Sequence, residues 1–343
     1  MIETSLHQSE PVALPGRPFG TVARSIAGHA LLTALMIVTP MLPVFVPAAL
    51  LHCGLRNGRR AAWMTGALAM MLVALYAASA TAPDAQTVRL ARVSFAAIGL
   101  AIVLPALLVL PLVERAAKFG QLLALLLVGS IAGLATTELA SRALLSYSAY
   151  GAFLAAMEQS NAQAVATYRS AGVPAEMLRS MEQWGTLLLP AFVLMMFAVV
   201  FILSLLMLGR LKAWHQLAAQ RGDGEALGAY FFRNLSLPDW LLFAFIAGGL
   251  TPLATGLLQK VAANTLAVVA FLYILQGLAI FRFLLAAMGA GFAGTVLGLL
   301  LLTVLTFTGV APLLLGVAGL FDSFFDFRHF KKRKDDSHES HSD

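Results

Sequence analysis

Apolar residues along this chain come in long blocks. They follow neither the three-and-four spacing of a half-buried helix nor the alternation of a strand. The stretches 93–113, 121–139, 186–208 and 241–258 carry almost no charge. Each runs for roughly 20 residues, the length a helix needs to cross about 30 Å of hydrocarbon. The ten-residue alternation of a membrane β-barrel is absent. The pattern predicts an all-α fold, a polytopic transmembrane helical bundle of about eight to ten membrane segments.

Polar interruptions set the expected boundaries. Residues 1–26 hold Pro11, Pro15, Pro18, Gly16 and Gly20 and read as a flexible tail. The transmembrane domain is expected over 27–322. It opens on two short apolar pieces, 27–39 and 44–55, parted by Pro40 and Pro43. Each falls short of the roughly 17 residues of an independent span, so a broken hairpin is predicted. Spans follow at 61–80, 93–113 and 119–140. The segment 141–182 then mixes Ala, Met, Glu, Gln and Arg and predicts external amphipathic helices split near Gly172. Further spans are expected at 185–208, 238–258 and 262–286. The last block, 287–320, is broken near Thr308 and Pro312 and predicts a second broken hairpin. An interfacial anchor and polar tail occupy 323–343.

Composition agrees. Of 343 residues, 59% are hydrophobic and 12% charged, with a mean hydropathy of +0.83; soluble domains carry about 25% charged residues. The net charge of +6 fits basic loops on one side of a membrane better than nucleic-acid binding. Clusters at Arg56/Arg59/Arg60, Arg115/Lys118, Arg210/Lys212/Arg221 and 328–334 are accordingly expected in the cytoplasm, with 81–92 and 141–182 outside. Both termini then face inward, in a bacterial inner membrane. The late, proline-broken first apolar block makes a poor signal peptide, so the N-terminus is expected to be retained. The single Cys53 excludes an intrachain disulfide.

Few residues offer chemistry. Gln276 and Arg282 stand in the run FLYILQGLAIFRFLL (271–285). Each costs on the order of 1–3 kcal/mol in a bilayer unless something offsets it. Arg282 is placed where it can snorkel to the headgroups as an anchor. Gln276 reads as an amide bridging two helices and as a ligand-binding candidate. Glu138 is a second ligand-binding candidate by virtue of its depth, although Arg142 one turn later suits an ion pair. Gly129/Gly133 and Gly294/Gly298 have the four-residue spacing that lets helices approach closely. Phe324, Phe325 and Arg328 read as membrane anchors at an anionic surface. His52 and Cys53 are adjacent and diverge by about 100° on a helix, so no metal site is expected. Phosphate-binding, nucleophile-elbow and zinc-helix motifs are absent, so no cofactor and no catalytic activity are expected.

Three short segments carry a resemblance. Gly316-Val317-Ala318-Gly319-Leu320-Phe321-Asp322-Ser323-Phe324-Phe325-Asp326-Phe327-Arg328, Leu275-Gln276-Gly277-Leu278-Ala279 and Leu237-Pro238-Asp239-Trp240, with the proline-broken opening, resemble the YybS-like family of bacterial membrane proteins, also called domain of unknown function 2232. That family has no established activity. Its members are fainter in their similarity to the substrate-binding membrane subunits of energy-coupling-factor vitamin transporters. This likeness implies a small-molecule pocket between helices and a cytoplasmic ATPase or other membrane-protein subunit as partner. The residues alone support two readings: a transporter-type subunit binding a small solute or lipid-like molecule, or a non-catalytic membrane scaffold in envelope assembly. In both, the lipid bilayer is a partner and nucleic acid is not.

Overall fold

The computed structural model describes residues 19–39, 42–79, 85–220, 230–289 and 291–325. The expected N-terminal tail up to residue 18, and the 326–343 stretch with Arg328, lie outside the described residues. Among those described there is no strand, and the helices in chain order are α1 Phe19–Val38, α2 Val46–Asn57, α3 Arg59–Ser79, α4 Ala85–Glu114, α5 Phe119–Leu145, α6 Ala149–Ser170, α7 Ala175–Leu187, α8 Leu189–Leu208, α9 Lys212–Gln220, α10 Leu241–Gly249, α11 Gly256–Ala287, α12 Phe292–Phe307 and α13 Val310–Phe325.

Six helices are long and apolar enough to cross a membrane: α1, α3, α4, α5, α8 and α11. A seventh crossing comes from α12 and α13 if they form one span bent by 110°. Eight to ten apolar segments are reached only when the short α2 and α10 and both halves of the bent pair are counted separately. Two boundaries differ from the sequence pattern for identifiable reasons. α1 is a full 20-residue helix beginning at Phe19, because 19–26 contain no proline and continue the helix backwards from the apolar block. Toward the other end, the expected span 238–258 is a nine-residue helix, α10, closed by a 3₁₀ turn at Thr251–Leu253. Pro252 cannot continue the ladder, and the chain restarts at Gly256 (φ +62°) as the 32-residue α11. The break within 287–320 falls at Gly309, whose φ of +74° is the left-handed conformation glycine adopts without steric cost.

One continuous apolar core joins α1–α5, α8, α9, α10 and α11. The α4–α5 interface is a close seam within it. A Cβ on Gly129 would press on the Pro105 ring and one on Gly133 on the Leu100 carbonyl, so the bare backbones meet. Between them, Ser130 Oγ donates to the Ala101 carbonyl at 2.6 Å. The described basic turns, at 56–60, 115–118 and 210–212, gather at one end of the bundle, while Arg221 lies outside the described residues. Arg59 at the start of α3 pairs with Glu114 at the end of α4 (Nε to Oε2, 2.8 Å). Nearby, Phe119 and Tyr230 meet edge to face and Tyr230 and Trp214 meet at a tilt, their centroids 6.3 and 4.6 Å apart, so that Tyr230 bridges the amphipathic α9 and the start of α5. At the opposite end Arg92 donates to the carbonyls of Ala77 and Ala78 (3.0 and 3.2 Å) and caps α3.

Candidate functional site: a buried amide node beside a lateral cleft

The three segments that carry the family resemblance meet at one place. α11 and α13 cross backbone to backbone. A Cβ on Gly277 would overlap the Leu315 carbonyl, and one on Gly319 the Tyr273 carbonyl. One residue before Gly277, the Gln276 side chain is 1% exposed. Its Oε1 accepts the backbone N–H of Leu237 at 3.0 Å, and its Nε2 donates to Asp322 Oδ2 at 3.0 Å. The amide thus joins the connection leading into α10, the middle of α11 and the end of α13. On its other side that connection leans on α5, where a Cβ on Gly120 would overlap the Ser236 carbonyl. Phe245 of α10 meets Tyr273 of α11 edge to face at 5.7 Å. The start of α10, with Trp240 as its first flanking residue, is therefore held from three sides.

Because α10 is only nine residues long, it fills one level of the bundle and leaves a gap along α11. The gap is a cleft of about 1120 Å³ between α5, α8, α10 and α11, roofed by α6 and α7. It is slightly larger than the usual range of small-molecule sites, about 300–1,000 Å³. Its wall is apolar through Ala124, Leu127, Leu154, Leu194, Val268 and Leu272. Polar groups collect at one end: Glu182, Gln183 and Thr186 of α7, Tyr150 of α6, and Lys260 and Asn264 of α11. From Lys260 to Leu272 is twelve residues of helix, about 18 Å at 1.5 Å per residue. Trp240 forms the far floor and also lines a smaller cavity of about 230 Å³ that shares Ala124 and Val128 with the cleft. Val128 and Ile131 are about half exposed along the rim, so the cleft opens sideways, toward what a bilayer would fill with acyl chains.

Two pins fix the roof. Asn264 accepts the Ala191 N–H at 2.8 Å and donates to the carbonyls of Leu187 and Lys260 at 2.9 and 2.8 Å. It thereby satisfies backbone groups orphaned where α7 breaks into α8 ahead of Pro190. Glu138, at the end of α5, accepts Arg142 Nε at 2.5 Å, Ser148 Oγ at 2.7 Å and the Tyr150 N–H at 2.8 Å. Ser148 is in turn the N-cap of α6, accepting from Gly151 N–H. A carboxylate at the N-terminus of α6 is also favoured by the helix dipole.

The sequence candidates distribute around this site. Gln276 lies at the node under α10 and Glu138 at the hinge of the roof; neither lines the cleft. Gly129 and Gly133 are in the α4–α5 seam. Gly298 packs against the side chains of Leu285 and Phe281, whereas Gly294 is exposed. Arg282 is exposed near the end of α11, and Phe324 and Phe325 are 60% and 55% exposed at the end of α13. Sequence reasoning did not single out Trp240, Asn264, Lys260, Glu182 or Asp322. Asn264 had a signal, as the lone amide in the apolar run 261–275. His29 and His52 face each other at 5.8 Å near Cys53, whose Sγ lies 3.3 Å from Thr65 Oγ1. Among the described residues, no group of three or more His, Cys, Asp or Glu is placed to hold a metal.

Long apolar helices, polar groups confined to ends and nodes, and a side-opening cleft define a polytopic helical membrane protein. The model of a family of predicted membrane proteins, domain of unknown function 2232, matches residues 29–323, and the chain belongs to that family. No curated protein and no solved structure matches it.

Proposed function

We propose that the protein is a transporter-type membrane subunit that binds an amphipathic, lipid-like molecule in the cleft between α5, α8, α10 and α11. The observation that carries this reading is the cleft itself: an apolar chamber about 18 Å long with its polar groups gathered at one end. A helical bundle built only to scaffold other proteins gains nothing from such a gap, because each unfilled volume forfeits packing contacts. The basic turns at the other end of the bundle support an orientation with that end in the cytoplasm and the polar mouth outside. On this reading both termini are cytoplasmic and the membrane is a bacterial inner membrane. The reading assigns binding and passage, with energy supplied by a partner such as a cytoplasmic ATPase, and no catalytic step. The fainter similarity to vitamin-carrier subunits points the same way.

The test is native mass spectrometry of gently extracted protein, wild type against Val128→Trp, which puts a bulky ring on the half-exposed cleft wall. A bound amphipath that survives delipidation in the wild type and is lost in the variant is the expected result. Equal retention in both overturns the cleft as the binding site. A stable protein partner with no retained amphipath would turn the assignment to a scaffold.

A further inference from the structure

The mouth of the cleft carries one charge of each sign. Glu182 comes from α7 and Lys260 from α11, and both line the cavity. They do not neutralise one another: among the described residues the ion pairs are Arg59–Glu114 and Arg142–Glu138. Both side chains belong to exposed residues, so neither has been withdrawn from a ligand's reach. The remaining polar groups at this end are neutral, Tyr150, Gln183 and Thr186 among them, and the amide of Asn264 is already committed to three backbone groups. A free zwitterionic solute would match the two charges but leave the apolar chamber behind them unfilled. A purely anionic lipid would fill the chamber but set its phosphate beside Glu182 with a single cation to balance both.

Resting on the proposed cleft reading, we infer that the occupant is a zwitterionic phospholipid bearing a primary ammonium. Its phosphate sits at Lys260, its ammonium at Glu182, and its acyl chain runs down α11 toward Trp240. The ammonium matters because it donates hydrogen bonds to a carboxylate, which a quaternary headgroup cannot do.

The experiment uses full-length protein, delipidated and then equilibrated with mixed micelles of equimolar phosphatidylethanolamine and phosphatidylglycerol of identical chains, with retained lipid measured by mass spectrometry. Wild type is expected to enrich phosphatidylethanolamine. Lys260→Glu and Glu182→Lys should each reduce that enrichment about three- to fivefold, the scale of exposed ion pairs. The double swap, which restores one charge of each sign, should bring it back to within about twofold. Equal retention of both lipids, or a preference for phosphatidylglycerol, overturns the headgroup inference while leaving the cleft reading in place if Val128→Trp still abolishes retention. Charge variants without effect on an existing enrichment overturn it as well. If Val128→Trp changes nothing, the cleft reading itself fails. All three charge variants alter exposed positions, so the bundle is expected to fold in each.

Discussion

Replacing Gln276 by Leu removes the amide that ties α11 to α13 and to the connection leading into α10, and the structure sets the size of the effect. Interhelical hydrogen bonds in bilayers average only about 0.6 kcal/mol, because a loosened helix finds other partners. Here the freedom to re-pair is missing. The acceptor Oε1 serves the backbone N–H of Leu237, a buried residue in a connection that also abuts Gly120. Leucine leaves that donor stranded, at about 1–3 kcal/mol. The lost bond to the Asp322 carboxylate, itself 8% exposed, adds to this, since bonds to charged groups contribute about 1.5–3 kcal/mol in full and less where the carboxylate keeps another contact. Leucine recovers a little by packing as well as the glutamine stem. The expected net loss is about 2–4 kcal/mol. It is measured as the shift in reversible unfolding in mixed micelles, in a cycle with Asp322→Ala. The two substitutions should couple by at least about 0.5 kcal/mol. A loss under about 0.5 kcal/mol for Gln276→Leu, or additive effects in the cycle, would refute the node as a structural tie. Loss of lipid retention without loss of stability would instead make Gln276 a binding residue.

Other outcomes follow from the same geometry. Gly277→Ala should cost about 1–3 kcal/mol, because the added carbon overlaps the Leu315 carbonyl and must push α13 away; Gly28→Ala, with open space around it, should be neutral or slightly stabilising in the same unfolding assay. Glu138→Ala removes the acceptor of Tyr150 N–H and Ser148, and should speed amide exchange across the first turn of α6 about 5- to 30-fold, with α4 and α5 interior amides unchanged; a uniform speeding would mean that the bundle, not the roof, had loosened. Trp240→Ala removes the floor shared by the two cavities, so the retained lipids should shift to longer chains by mass spectrometry; an unchanged chain-length profile would count against the floor assignment.

Much of the bundle was legible because a bilayer leaves a chain little choice. A run such as 189–208 is apolar on every face, and lipid accepts only a helix there. Interruptions were legible where one residue decides the backbone, as at Gly309 within the expected break near Thr308 and Pro312, but the one at Pro252 was passed over inside an expected span. Lengths were harder. Over 238–286 the pattern predicts two spans of similar length, whereas α10 takes nine residues and α11 takes 32. What meets what there is a long-range matter, as where the Leu237 N–H finds an amide 39 residues away. The cleft was invisible for the same reason. Its walls and roof come from six helices, and its existence depends on α10 being too short to fill the gap beside α11. Gln276 stood out as the wrong residue for hydrocarbon, but its partners did not. Asp322 looked like one more member of a phenylalanine-rich interfacial stretch, and only the crossing at Gly277 and Gly319 brings it under the amide.

The site couples a stiff element to a soft one. Around Gln276 the backbones of α11 and α13 touch, the hydrogen bonds are satisfied, and a change of one carbon is felt. Beginning one turn along α11, at Leu272, the chain faces a chamber that is underpacked, roofed by α6 and α7, and held by two polar pins. Packing lost in the chamber is unfavourable unless something fills it, and in a bilayer the filler nearest to hand is an acyl chain entering from the side. The stiff node keeps α10 from sliding toward the roof and closing the gap by itself, since sliding α10 would break the Leu237–Gln276 bond. A loosened node should therefore collapse the cleft as well as destabilise the fold. In Gln276→Leu, lipid retention should fall even under conditions where the protein stays fully folded, and Val128→Trp should then cause no further loss. If the two substitutions instead reduce retention independently, the node and the cleft are separate devices and α10 is not the element that joins them.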